Sequence, residues 1–410
     1  MTQFLNRVKQ VSATTSTGTV TLGAASTGYV TAATAGGVDG QVVSYLIEDT
    51  GNAWEVGYGV LGSSATTMTR NLEKSSTGSL LNLSGSETVS FIVAASDVSS
   101  GFFTPQGRVT LTTGVPVITA ASTTAQTTIY YTPYIGAYIP IWNGQKTVKT
   151  LFSELSQATT DSTKSPAAVA ASKNYDIFVW NDASTIRATR GPAWSSDTSR
   201  GSGAGTTQIT RNTDGYLTNT VAITNGPGAG LGTYVGTVRS NGSSQIDYIL
   251  GGVGVSGGES TILGVWNMYN RVDVSLANID SATQWTYNTA AFRVKHNLTT
   301  NEISFVIGLA EDALAALNVM VAQCSAVNGD FACGIGLNSA TAVATASSNV
   351  IGLGAVANGN FPMACNYQAA APLGFNYLAP LEWADTATTT WFGVQPAGAA
   401  QTMFSARVRA

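Results

Sequence analysis

Apolar and polar residues alternate with a period of two through most of the chain, in short runs bounded by Gly, Pro, Asn, Asp or Ser. This is the pattern of half-buried β-strands, whose successive side chains point to opposite faces. No long segment combines a 3.6-residue period with capping residues, so the chain is predicted to be all-β. Four hairpins are legible from turn chemistry. Residues 139–142 run through Asn143-Gly144 into 145–148, and Asn-Gly favours a type I′ turn because both residues tolerate φ > 0. Residues 234–240 return through Asn241-Gly242 into 243–250, residues 175–180 turn at Asn181-Asp182, and Asp214-Gly215 separates 208–211 from 216–217. Residues 312–322 open with good helix formers. The alternation of 301–308 before them nevertheless favours a strand pair that turns at Glu311-Asp312, with 317–322 returning antiparallel. A short helix near 152–155 is the other helical candidate.

The turn and strand signals group into three blocks. Residues 1–98 form a compact β-rich module, with a first strand signal over 14–22 and a last over 88–94. Residues 99–170 read as an extended β connector, because they contain Ser99-Ser-Gly101, prolines at 105, 116 and 133, and a Ser/Thr/Pro-rich stretch over 158–166. Residues 171–410 are long enough for one large antiparallel β-sandwich of jelly-roll type. No fixed-period repeat is present, which argues against a solenoid or propeller. Within the connector, residues 130–142 place Tyr130, Tyr131, Tyr134, Tyr138 and Trp142 in thirteen positions. So much aromatic surface must be buried, either in the core or in a seam between subunits.

Composition narrows the function. Hydrophobic residues make up 44% of the 410, whereas Asp, Glu, Lys and Arg together reach only 10%, against about 25% in ordinary soluble domains. With 13 Phe, 15 Tyr and 8 Trp and a net charge of −4, the chain is expected to fold rather than remain disordered. Its 19 Lys+Arg against 23 Asp+Glu form no basic footprint, so nucleic acid is excluded as a partner. The longest apolar stretch, 303–322, is broken by Glu311 and Asp312, and no membrane-inserted segment is expected. The first ten residues carry basic groups but no apolar core or cleavage site, which points to synthesis in a cytoplasm without a secretory signal. Cys324, Cys333 and Cys365 show no metal-ligand spacing and cannot all pair. They read as buried thiols, with a Cys324–Cys333 bridge as the alternative.

Several motifs imitate catalytic or binding signatures only superficially. Gly254-Val-Ser-Gly-Gly258 matches a nucleophile elbow, and Gly252-Val-Gly254-Val-Ser-Gly257 matches a dinucleotide fingerprint. No helix follows either, and 44 glycines make chance matches common. His296, the sole histidine, has no Cys or second His nearby to complete a metal site. Acid pairs suited to glycoside cleavage would be Glu48-Asp49 with Glu55, Glu311-Asp312, or Glu382 with Asp385. Adjacent strand residues point to opposite faces, however, and the last two pairs read as turn residues. Neither catalytic residues nor a cofactor are therefore expected. Aromatics in polar loops, Trp194, Trp285 and Tyr287, are the candidates for surface recognition of saccharide or protein, with core packing as their alternative.

The stretches Phe4-Leu-Asn-Arg-Val-Lys9, Ser16-Thr-Gly-Thr-Val-Thr-Leu-Gly23, Ile47-Glu-Asp49, Asn52-Ala-Trp-Glu-Val-Gly57 and Leu83-Ser-Gly85 resemble a module of structural proteins in tailed bacteriophages. Gly107-Arg-Val-Thr-Leu-Thr-Thr-Gly-Val-Pro-Val117, Tyr130-Tyr-Thr-Pro-Tyr134 and Phe152-Ser-Glu-Leu-Ser156 are similar to a connector of such virion proteins. Tyr175-Asp-Ile-Phe-Val-Trp180, Trp266-Asn-Met-Tyr-Asn-Arg271 and Trp285-Thr-Tyr287 are similar to their C-terminal part. The resemblance implies a non-enzymatic virion component, a homotrimeric tail fibre, head fibre or appendage. Its N-terminal module would dock on other virion proteins, and its C-terminal domain would bind a host surface glycan or protein. A capsid decoration protein is the structural alternative, and a glycan depolymerase spike the enzymatic one. Low charge and abundant small residues permit close packing against identical neighbours.

Overall fold

The computed structural model describes residues 4–95, 97, 103–120, 122–144, 146–253, 260–348, 350–354, 356–385, 387–394 and 402–410. Strands dominate them, and none of the described residues lies in a helix of seven or more residues, which establishes the all-β class. The chain divides into two compact units. One comprises Met1–Thr104, Pro140–Thr150 and Arg211–Tyr216, and the other Pro105–Ile139, Leu151–Thr210 and Leu217–Ala410.

The first unit is built on a seven-stranded sheet ordered Lys9–Val11, Thr88–Phe91, Val42–Glu48, Trp54–Gly62, Thr67–Met68, Val20–Thr21, with Asn71–Ser75 also on Trp54–Gly62. Its centre is the hairpin of Val42–Glu48 and Trp54–Gly62, in register from Val42↔Val60 to Glu48↔Trp54. Burial alternates strictly along Trp54–Gly62, as period-2 patterning requires. Gly57 belongs to the inward set because the Tyr45 ring lies against it: a Cβ there would sit 3.0 Å from the ring and 2.2 Å from the Asn71 carbonyl oxygen. Val20, Val43, Ile47, Leu61, Met68 and Val89 fill the core. Within it Arg70 forms a two-pronged ion pair with Glu55, Nε to Oε1 at 2.9 Å and Nη2 to Oε2 at 2.6 Å. The strand signal over 14–22 contracts to Val20–Thr21. Hydroxyls supply the reason: Ser12 accepts from Thr14 N–H, Ser16 from Gly18 N–H and Thr14 from Thr21 N–H, so local side-chain bonds replace a ladder.

The second unit holds several sheets. A three-stranded sheet is ordered Leu155–Ala158, Thr128–Pro133, Gly107–Thr110. A six-stranded sheet runs Thr185–Ala193, Asn174–Asp182, Thr233–Arg239, Leu217–Asn219, Ile209–Arg211, with Val265–Asn267 on Thr233–Arg239. An eight-stranded sheet runs Val350–Leu353, Asp330–Leu337, Gly374–Ala384, Ile303–Ile307, Thr261–Leu263, Ile246–Ile249, Ser122–Gln126, with Arg293–Val294 on Gly374–Ala384. A seven-stranded sheet runs Gly251–Val253, Asp273–Ile279, Met403–Arg409, Ala313–Cys324, Thr389–Phe392, Gln284–Tyr287, with Phe361–Ala370 on Ala313–Cys324. The last two sheets face each other across a shared core. Phe331 of one meets Trp391 of the other edge to face at 6.3 Å, and Asn318 Nδ2 donates to Gly334 O across the gap at 3.0 Å.

The sandwich departs from a purely antiparallel one. Gly251–Val253 runs parallel to residues 277–279, and Thr261–Leu263 runs parallel to 303–305. The first pairing demands glycine: Gly251 has φ +80°, and a Cβ there would lie 1.8 Å from Ala277 O. The hairpin cues meet different outcomes. Tyr138–Trp142 and Thr147–Leu151 pair around Asn143-Gly144, with Gly144 at φ +98°. Asn174–Asp182 and Thr185–Ala193 do pair, but the turn falls on Ala183-Ser184, both at positive φ, two residues beyond Asn181-Asp182. Asn212–Tyr216 closes a turn with Gly215 at φ +85°, as the sequence indicates. Asn241 also closes its turn, accepting from Gln245 N–H on its side chain, yet beyond the Ser240↔Ile246 bridge the two strands separate into different sheets.

Residues 313–324 are one long strand, as preferred over a helix, but they do not return along Ile303–Ile307. Each strand finds its partners in a different sheet, Ile303–Ile307 on Gly374–Ala384 and Ala313–Cys324 on Phe361–Ala370. Near 152–155 there is no helix. Phe152 stacks on Tyr131 and the chain continues into the strand Leu155–Ala158.

Candidate functional site

The aromatic segment splits between core and surface by strand alternation. Tyr131, in Thr128–Pro133, is buried, stacks on Phe152 at 4.9 Å, and accepts a hydrogen bond from Gly107 N–H at 3.2 Å. Burial pushes its hydroxyl pKa up. Tyr130, one position earlier, is half-buried and pairs in register with Thr110 and Ser156. Beyond the strand, Tyr134 and Tyr138 are exposed (42% and 37%), as is Ile135 at 60%. The Arg108 guanidinium sits over the Tyr134 ring at 5.7 Å. Gln106 fixes the backbone of this turn: its Oε1 accepts from Tyr138 N–H, and its O accepts from Tyr134 and Ile135 N–H. Trp142 is half-buried and belongs to the first unit.

Trp194 is core. It is 3% exposed beneath the Arg200 guanidinium at 4.3 Å, and Arg200 is itself held by both oxygens of Asp176. Trp285 and Tyr287, two apart on Gln284–Tyr287, enter a cluster that joins aromatic, acidic and basic groups. Trp285 is 7% exposed, lies flat against the His296 ring at 4.7 Å, and donates Nε1–H to Glu382 Oε2 at 2.7 Å. Arg293 donates Nε–H to Glu382 Oε1 at 2.7 Å and covers the half-buried Tyr287 ring at 3.8 Å. Trp285 is therefore a wall beneath His296, while Tyr287 and Arg293 face outward as a stacked pair.

Four polar groups of this cluster are completely buried: Asp280, Lys295, Asn301 and Glu382. Asp280 Oδ2 bonds His296 Nδ1 at 2.8 Å and accepts from Asn301 Nδ2 at 3.1 Å. His296 reaches Asp280 because it adopts φ +57°, as does the following Asn297 at +56°. The Lys295 ammonium has no hydrogen-bond partner. Burial lowers its pKa to about 8, against the opposing pull of Asp280 and Glu382. Burial raises the Glu382 carboxyl, a shift that Arg293 and Trp285 only partly offset. No spacing rule links residues 280, 295, 301 and 382. Strand crossings between sheets bring them together, which is why the sequence reading singles out Trp285 and His296 but not Lys295 or Asp280.

The acid pairs considered for glycoside cleavage are engaged elsewhere. Glu48 pairs with Lys9, Asp49 accepts from Thr50 and Ser84 N–H, and Glu55 is locked by Arg70. Glu311 and Asp312 both bind Arg271, and Asp385 accepts from Asp330 and Ala387 N–H. Cys324 and Cys333 are free and buried, so the alternative bridge is absent; Cys365 is free and buried as well. Contact with Cys333, followed by burial, pushes the Cys365 thiol up. Residues 254–258, which carry the nucleophile-elbow match, and most of the dinucleotide match lie outside the described residues. Among the described residues no group of three His, Cys, Asp or Glu is placed to hold a metal.

No protein-family model matches the chain, and no curated protein matches it. Among solved structures, an insecticidal delta-endotoxin of Bacillus thuringiensis aligns at 7% identity and a TM-score of 0.20, over 74% of this chain and 52% of that one. The chain thus spans about half the length of that neighbour, and a likeness this slight carries no argument about function.

Proposed function

We propose that the chain is a non-enzymatic structural component of a tailed-bacteriophage particle, a homotrimeric fibre or appendage. Its first unit docks on other virion proteins and its β-sandwich binds a glycan or protein of the host surface. The resemblance of residues 4–85, 107–156 and 175–287 supports the phage assignment. One structural observation carries the self-association. Ala313–Cys324 is an interior strand of its sheet, yet its outward positions Leu317, Val319 and Val321 are apolar and not buried, with Pro362, Ala364 and Asn366 exposed beside them. The charges of this face gather at one end, with Arg407 beside Ala315, and the uncharged stretch over 317–321 suits contact with an identical surface.

The engagement of each candidate acid in a structural ion pair or turn favours binding over glycan cleavage. Immunogold electron microscopy of intact virions, with antibody against residues 171–410, tests the assignment. Gold at the tail tip is the expected result. Gold over the head would transfer the same protein to capsid decoration, and virions without gold would overturn the virion assignment.

A further inference from the structure

Lys295 and Asn301 pose the same physical problem from opposite sides. Both are completely buried. Lys295 holds an amine with no hydrogen-bond partner, and Asn301 holds a carbonyl oxygen, Oδ1, with none. An unpaired buried ammonium and an orphaned buried carbonyl are each costly, and protein interiors rarely tolerate either. The two residues are also joined through their surroundings. Asn301 Nδ2 donates to Lys295 O at 2.9 Å and to Asp280 Oδ2 at 3.1 Å, and the charge of Asp280 acts on the Lys295 amine. The His296 ring, bonded to Asp280, lies flat against Trp285, which donates Nε1–H to the buried Glu382.

From this cluster of a buried amine, a buried amide and a buried carboxylate bound to that amide, we infer that Lys295 and Asn301 condense into an intramolecular isopeptide bond, with Asp280 as the proton carrier. Asp280 takes a proton from the ammonium, and the neutral amine adds through Nζ to Cγ of Asn301. The Asp280 acid then protonates Nδ2 and accepts a second proton from Nζ. The Cγ–Nδ2 bond breaks, ammonia leaves and takes up the proton remaining on Asp280, and the new Cγ–Nζ amide remains. No oxidant or other co-reactant is required. Burial aids the first step, since the lysine pKa is already depressed to about 8 and its neutral form is accessible. The bond converts an unpaired charge into a neutral amide and pins the loop between Arg293–Val294 and Ile303–Ile307.

Intact-mass spectrometry of the full-length chain tests this directly. The expected mass is one ammonia below that of the sequence. Digestion with a protease that cuts after Leu298 should leave the two flanking pieces joined. Lys295→Arg and Asp280→Asn should each retain the ammonia after correction for the substitution. A wild-type mass equal to the sequence, or an ammonia loss that persists in Lys295→Arg and so reflects cyclisation at another residue, would overturn the proposal. If neither variant folds, the digest of the wild type decides: separate pieces exclude the bond.

Discussion

Removing the guanidinium of Arg70 would leave Glu55 buried, charged and stripped of two of its four hydrogen bonds, the others coming from Tyr45 Oη at 2.7 Å and Leu81 N–H at 2.8 Å. Breaking one side of a fully buried pair costs about 3–5 kcal/mol, so Arg70→Met should lower the calorimetric midpoint of the first unit sharply, and an unchanged midpoint would refute the structural role. Burial alone would raise the Glu55 carboxyl, but Arg70, Leu81 and Tyr45 together hold it below its ordinary value. The contribution of Glu55 is thus present above the unfolded carboxyl pKa and is lost as pH falls through the lower folded value. Glu302 has the opposite sign. Burial raises its pKa from 4.5 to about 7, so its favourable protonated form is kept below 4.5 and lost as pH rises through 7. Glu302→Gln should raise the melting midpoint above pH 7 and leave it unchanged below pH 4.5. Equal shifts at both pH values would sink this assignment.

Strand identity was legible because it depends on local alternation, and partner choice was not because it depends on which sheet a strand enters. Ala313–Cys324 shows both sides of this. Its period-2 burial is visible in the sequence, whereas its departure from Ile303–Ile307 is set by pairing with residues 361–370 some forty positions on. The turn at Ala183-Ser184 escaped because neither residue advertises positive φ, while Asp182 reads as a turn residue but ends its strand, bonded to Arg187 and Lys164. The aromatic segment was legible as apolar surface needing cover, and alternation then decides which rings are core. Tyr131 is spent on Phe152, so within this segment only Tyr134, Ile135 and Tyr138 are left to extend a seam beyond the outward face of Ala313–Cys324. Replacing Tyr134 and Tyr138 together by Ser should shift the light-scattering mass from trimer to monomer without loss of the fold, since neither residue is buried. A trimer that persists would leave the seam to the face of Ala313–Cys324 alone.

Solubility of the second unit alone depends on where its chain is allowed to start. Residues 99–170 read as a connector in the sequence, yet 105–139 and 151–170 belong to the second unit and supply strands that complete its sheets. Ser122–Gln126 forms the edge beyond Ile246–Ile249. Val109 N–H donates to Asn267 Oδ1 at 2.6 Å and Asn267 Nδ2 returns a bond to Val109 O at 3.2 Å. Arg108 donates to Asn270 O and, at 3.1 Å, to Ala410 O. A chain beginning at residue 171 would leave Asn267 buried without these partners and Ile246–Ile249 as a bare edge, both of which favour aggregation. A chain beginning at residue 105 retains every one of these bonds. It should melt cooperatively with the sandwich intact, whereas residues 171–410 should aggregate or melt at least several degrees lower. Equal cooperativity and midpoint in the two fragments would show that 105–170 contributes only reach, returning it to the role of a connector between a docking module and an independent sandwich.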